Sequence, residues 1–250
     1  MKEIIVSGCS YSTNTGVTPY GSILENLSSV KVSNTAWPGQ SNKSIIRQFR
    51  DEIKKGITDT IFICQLTHLH RLNLYCTLNN KYIDFQPNFI KIIPELKDGN
   101  VVFDVDTESP HKGTFRGISA YGVQKETDFE LDESIYKEFF SFYRQYLKYF
   151  YDDVESFYNL MDDIDDLNGL VKSSGNKILF LYWPHITPDI GELKKRNILN
   201  IDGEYSLLNW STKNNLLDGR TSHLSQEGHR KLSKKIITEL NLGKNKNIFI

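Results

Sequence analysis

Little in this 250-residue sequence speaks for a scaffold held by covalent or metal staples. Cysteine occurs three times, as Cys9, Cys64 and Cys76, with no CxxC spacing, so neither a disulfide framework nor a zinc site is expected and a reducing setting is. Charge of one sign is missing as well. Lys and Arg number 30 against 31 Asp and Glu, and a formal net charge of -1 provides no field to gather a polyanion, so nucleic acid is not an expected partner. No run approaches the ~18 apolar residues of a membrane span, and the apolar start Ile4-Ile5-Val6 carries no cleavage site. A membrane partner is therefore not expected. The expected location is the cytoplasm, with association with a virus particle as the alternative, because such a protein leaves a cell without a signal peptide.

What is present is an ordinary globular balance of 39% hydrophobic and 24% charged residues, with 13 Tyr and 14 Phe supplying much of the apolar volume. A chain of this length buries roughly three-quarters of the surface it exposes when unfolded. One α/β domain over residues 1–250 is the expectation. Residues 3–7 form a β-branched run closed by Gly8, residues 20–28 suit a short helix, and Val30 to Thr35 suits a second strand. Ser41 or Asn42 is placed to cap an amphipathic helix through Ile45, Ile46, Phe49 and Ile53. Thr60 to Leu66 is a near-continuous apolar run, as in a parallel strand covered on both faces.

Residues 73–130 carry Pro, Gly and Asn between short apolar runs such as Val101-Val-Phe103, and read as an irregular insertion with room for a hairpin. From Asp132 to Val171 apolar residues recur every three or four positions, which predicts one long helix or two nearly collinear ones. Its aromatic stripe, Phe139 to Tyr158, reads as core, with a surface for a homo-oligomer as the alternative. Lys177 to Tyr182 is the next strand, a last one falls near Ile198 to Ile201, and Ser225 caps a closing helix to Leu240.

In an open parallel sheet, ligands bind beyond the carboxyl ends of the strands. Ser10, Gly39, Thr67 with His68, and Trp183-Pro184-His185 follow the four strands and should converge on one edge. A serine hydroxyl needs a histidine to take its proton, and that histidine works best when a carboxylate orients it. His223 is the natural base, on a polar loop that begins at Asp218 and runs into the last helix. The backbone N–H groups of Ser10 and Gly39 are candidate donors to a developing oxyanion. His68 and His70 have a spacing two metal ligands could use on a strand, but no Cys or acidic cluster joins them, so no metal and no cofactor are expected. The acidic run Asp162 to Asp166 reads as a solvated helix face, Trp37 and Trp183 as buried aromatics or a stacking surface for a sugar, and His229 as a packing or capping residue.

Gly8-Cys9-Ser10-Tyr11, Asn34-Thr-Ala-Trp-Pro-Gly39-Gln-Ser-Asn42 and His223-Leu-Ser-Gln-Glu-Gly-His229 resemble, in order, the first, glycine and terminal histidine blocks of the SGNH (GDSL-type) hydrolases. The resemblance implies a flavodoxin-like three-layer α/β/α sandwich and a serine esterase with Ser10 as nucleophile and His223 as base. Gly39 carries over as an oxyanion donor, and the implied substrate is an acetyl or other acyl ester on a glycan or small molecule. Three departures stand out. Cys9 occupies the usual aspartate position. Gln65-Leu-Thr67-His68 stands where an asparagine block belongs, leaving Thr67 or His68 as replacement donors and Asn42 as a further substrate contact. Arg220 occupies the usual acid position, so Asp218 is the candidate acid, with a Ser10–His223 dyad as the alternative. An acyltransferase would use the same residues, and an inactive glycan-binding or assembly module is the rival class.

Overall fold

The computed structural model describes residues 3–13, 16–76, 81–85, 91–97, 100–106, 118–120, 141–142, 145–218 and 223–242. In chain order the elements begin with β1 (Glu3–Ser7), α1 (Tyr20–Ser28), β2 (Val32–Asn34), α2 (Asn42–Lys54) and β3 (Thr60–Leu66). The insertion holds β4 (Leu72–Cys76), β5 (Lys81–Phe85), β6 (Lys91–Lys97), β7 (Asn100–Asp106) and β8 (Ile118–Ala120). Then come α3 (Asp153–Ser173), β9 (Lys177–Tyr182), α4 (Ile190–Lys194), α5 (Leu207–Lys213) and α6 (Gln226–Glu239).

The central sheet is parallel, in the order β2-β1-β3-β9, and helices cover both of its faces, so the expected three-layer α/β/α sandwich is the architecture found. Alternation along each strand assigns the faces, because successive side chains point to opposite sides. Ile4, Val6, Ile61, Ile63, Leu179 and Leu181 pack with Tyr20 and Leu24 of α1 and Leu232 and Ile236 of α6. Ile5, Phe62, Cys64, Ile178 and Phe180 turn the other way, onto Ile45 and Phe49 of α2 and Phe157, Met161 and Ile164 of α3. Both faces are apolar, which is why β3 reads as an unbroken apolar run. The last strand expected near Ile198 is reduced to single bridges, Phe180 with Ile198 and Tyr182 with Ser206, that extend the sheet beyond β9.

Of the two readings of the long periodic stretch, one unbroken helix does not hold and separate helices do over the described residues: residues 145–149 are helical, then the chain leaves the helix, and Asp152 in extended geometry accepts from the Glu155 N–H at 2.8 Å to start α3. Apolar periodicity runs through this break, but Tyr149, Phe150 and Val154 are exposed, so those positions do not join the core. Ile135, Phe139 and Tyr143 lie outside the described residues.

The insertion is more regular than expected. β4, β5 and β8 form an antiparallel sheet, and β6 with β7 form a hairpin that contains Val101 to Phe103. The three-stranded sheet is tied to α2 by Asp84, which is fully buried and accepts from Ser41 Oγ at 2.6 Å and Asn73 Nδ2 at 2.8 Å. Burial raises the Asp84 carboxyl above its ordinary range, and these donors partly offset the rise. Arg47 completes the junction, donating to Asn73 Oδ1 at 2.9 Å with its guanidinium 3.5 Å from the centre of the Tyr82 ring.

At the other face α1 begins after Pro19 with no side chain of its own to cap it. His229 of α6 fills that role. It is 1% exposed, and its Nδ1 accepts from the Tyr20 N–H at 3.2 Å, one of the donors every helix start leaves unmet. An accepting Nδ1 belongs to a neutral ring, and burial, with the charge of His223, pushes the His229 pKa down to about 4 from 6.5. Between those two values the folded state binds fewer protons than the unfolded one, so stability falls as pH falls through that window. The contribution is on the order of 3 kcal/mol at its full extent. Urea unfolding at about pH 7 and about pH 4.5 is expected to show a smaller acid loss in His229→Gln than in the parent protein.

Candidate active site

The carboxyl ends of β1, β2, β3 and β9 lie on one edge, as parallel strands require, and the residues after them meet there. Ser10 opens a short 3-10 turn, Ser10–Ser12, immediately past β1 and Gly8. Its hydroxyl is half-buried and lies 2.9 Å from Nε2 of His223. That is hydrogen-bond distance between the candidate nucleophile and the candidate base, which come from opposite ends of the chain.

Tyr11 holds the imidazole in place. Its ring stacks on Trp183 with centroids 3.8 Å apart and an 18° tilt, and contacts His223 at 4.6 Å. The Tyr11 Oη lies 3.1 Å from Nε2 of His68. Burial holds the Tyr11 phenol protonated far above its ordinary range, and burial together with the Arg71 charge keeps His68 neutral. His68 packs against His70 and His185, with centroids 5.4 and 6.2 Å away. Among the described residues no group of three or more His, Cys, Asp or Glu side chains could hold a metal ion.

Asp218 reaches His223 through backbone register. Leu217 and Leu224 form an antiparallel bridge, the Asp218 N–H donates to the His223 carbonyl at 2.7 Å, and the Ser225 N–H donates to the Leu216 carbonyl at 2.7 Å. Asp218 and His223 are therefore directly opposed, the arrangement that puts two side chains on one side of a ladder with Cβ atoms roughly 5 Å apart. They lie five positions apart in sequence, and the paired backbone on either side sets them opposite each other. Arg220, in the usual acid position, lies outside the described residues.

Gly39 sits in the loop after β2 with φ of +84°, a conformation a glycine adopts without strain. The loop is laced to β1 by Thr35 N–H to the Val6 carbonyl at 2.8 Å and Trp37 N–H to the Gly8 carbonyl at 3.1 Å. The N–H groups of Ser10 and Gly39 make no hydrogen bond with the described residues, so both are available as donors. Thr67 differs. Its N–H donates to Asn42 Oδ1 at 2.7 Å and its carbonyl accepts from Asn42 Nδ2 at 3.1 Å, while its hydroxyl is enclosed. Asn42 thus fastens α2 to the end of β3, and both amide groups the sequence offered for substrate are spent on each other. His68 likewise spends Nε2 on Tyr11. Trp183 is fully buried beneath Tyr11, whereas Trp37 is exposed on the glycine loop.

Two residues of consequence escaped sequence reasoning. Gln65, 1% exposed at the end of β3, accepts at Oε1 from Ser12 Oγ at 3.0 Å and from the Cys9 N–H at 3.4 Å, with Cys9 Sγ at 3.5 Å, while its Nε2 donates to the Leu66 carbonyl. Arg71, buried beside the site, donates from Nη1 to the Gln40 carbonyl at 2.8 Å. The available signal for Gln65 was a lone amide in an otherwise apolar, doubly covered strand, where a polar group must find partners.

Gly8 leaves the room this clamp needs. A Cβ there would stand 2.6 Å from Ser12 Oγ, 2.8 Å from Gln65 Oε1 and 2.9 Å from Gln65 Cβ. Gly8→Ala is expected to destabilise by about 1–3 kcal/mol in urea unfolding, and by less in a Ser12→Ala, Gln65→Ala background that removes the nearest atoms. An undiminished cost would mean that crowding is not the cause. No protein-family model matches this chain, and a search of curated proteins finds no match.

Proposed function

We propose that this protein is a serine esterase that cleaves an acyl ester, most simply an acetyl group on a carbohydrate, by acyl transfer through Ser10. The observation that carries the proposal is the 2.9 Å approach of His223 Nε2 to Ser10 Oγ at the carboxyl edge of a parallel sheet. The resemblance of the three sequence blocks to SGNH hydrolases supports the same reading.

Ser10 Oγ attacks the carbonyl carbon of the ester while His223 Nε2 takes the hydroxyl proton. The carbonyl oxygen becomes an oxyanion, and the N–H groups of Ser10 and Gly39 are the donors available to it; one such donor is worth about 3 kcal/mol at the transition state. As the tetrahedral species collapses, the C–O bond to the alcohol breaks and His223 returns the proton to the departing oxygen. Water, deprotonated by the same imidazole, then attacks the acyl-enzyme and releases the acid with Ser10 restored. Asp218, opposite His223, stabilises the imidazolium and orients the ring. With another hydroxyl in place of water, the same residues serve an acyltransferase.

One observation favours the rival reading of a non-enzymatic glycan-binding or assembly module: the Thr67 N–H, where a third donor would be sought, is occupied by Asn42. Labelling by a fluorophosphonate, followed by intact mass and peptide mapping, separates the two. The esterase reading expects modification at Ser10, its loss in His223→Ala, and p-nitrophenyl acetate turnover that vanishes in folded Ser10→Ala. Asp218→Asn is expected to lower kcat by as much as ~10⁴. A folded protein that neither takes the label nor turns over the ester would be the module.

A further inference from the structure

Arg71 is 6% exposed, and among the described residues its partner is the Gln40 carbonyl alone; its Nε makes no hydrogen bond and no carboxylate pairs with it. A guanidinium stays charged under all ordinary conditions, and a buried charge is ordinarily paired. This one borders a cavity of about 390 Å³ between α2, α3 and the start of β4, together with Asn42, Asn73 and Asn159. Lys43 and Asp163 also line it, but they pair with each other at 2.7 Å, so Arg71 sets the net sign of the walls. The size is that of a small ligand pocket. It adjoins the candidate active site through Arg71 itself, which bonds the residue after Gly39 and whose charge acts on Tyr11 and His68.

We infer that this cavity binds the carboxylate of a ligand of monosaccharide size, with the Arg71 guanidinium as its ionic partner. A planar fork of donors suits a planar carboxylate, and on the α3 wall the Ser156 hydroxyl and the Asn159 amide face the same space as donor and acceptor groups for ring hydroxyls. The anion site stands on the cavity and the unpaired cation. That this ligand is the acidic part of an ester substrate rests on the function proposed above.

The test is equilibrium titration of the full chain with D-glucuronate and with D-glucose, which differ in the carboxylate. Glucuronate is expected to bind at least about ten-fold more tightly, and Arg71→Gln to weaken it by about ten- to a hundred-fold. Asn159→Phe, on the exposed side of α3, is expected to fill the cavity and block glucuronate without touching the core. This second variant keeps the test decisive if Arg71→Gln fails to fold. Equal binding of the two sugars, binding of neither, or full glucuronate affinity in folded Arg71→Gln or Asn159→Phe would overturn the inference. Glucuronate binding by a protein whose Ser10 takes no fluorophosphonate would uphold the site and sink the esterase, and the converse result would do the reverse.

Discussion

The arrangement depends on one buried amide beneath the turn that carries Ser10. Gln65 lies in a strand covered on both faces, where an unmet carbonyl oxygen would cost about 1–3 kcal/mol, and it meets that need with Ser12 Oγ and the Cys9 N–H. The turn is thereby tied to β3, the neighbouring strand. Ser12 Oγ also meets Tyr20 Oη at 3.0 Å, so the same turn is linked to the first residue of α1. Gly8 is the residue that permits this closeness, since any side chain there would occupy the space Gln65 and Ser12 use. The turn these contacts tie down is the one that opens with Ser10.

A second layer of the same logic holds the histidine. The imidazole of His223 rests against Tyr11, Tyr11 rests on Trp183, and Trp183 lies in the core that joins β9 to α1 and α6. The residue next to Ser10 thus positions His223. A neutral phenol and a neutral His68 stand behind the Ser10–His223 pair, with the Arg71 charge beside them. The glycine loop is held by backbone bonds to β1, and the N–H groups of Ser10 and Gly39 take no partner among the described residues.

Much of the sandwich was legible because its signals are local. Ile4 to Val6 and Ile61 to Leu66 announce strands covered on both faces, and Ser41 and Ser225 announce helix starts; their Oγ atoms accept from the Ser44 and Gly228 N–H groups at 3.2 Å. The insertion was illegible for the opposite reason. Its strands alternate weakly, and the contact that docks them, Asp84 on Ser41 and Asn73, joins residues far apart in sequence through one buried carboxylate. The break before α3 was hidden because apolar spacing continues through Phe150 and Val154, and only burial reveals that these side chains face outward.

The sequence by itself determined the parallel α/β frame, the order of its strands and helices, and the residue types that gather at its carboxyl edge, because a period of hydrophobicity and a cap depend on neighbours a few residues away. Tertiary structure decided the rest. The distance from Ser10 to His223, the opposition of Asp218 to that histidine, the mutual engagement of Asn42 and Thr67, and the isolation of Arg71 depend on groups brought together from remote parts of the chain. Spacing along a sequence does not encode which donor a buried acceptor will find. Packing does, since every enclosed polar group takes the partners that the closed core leaves within reach.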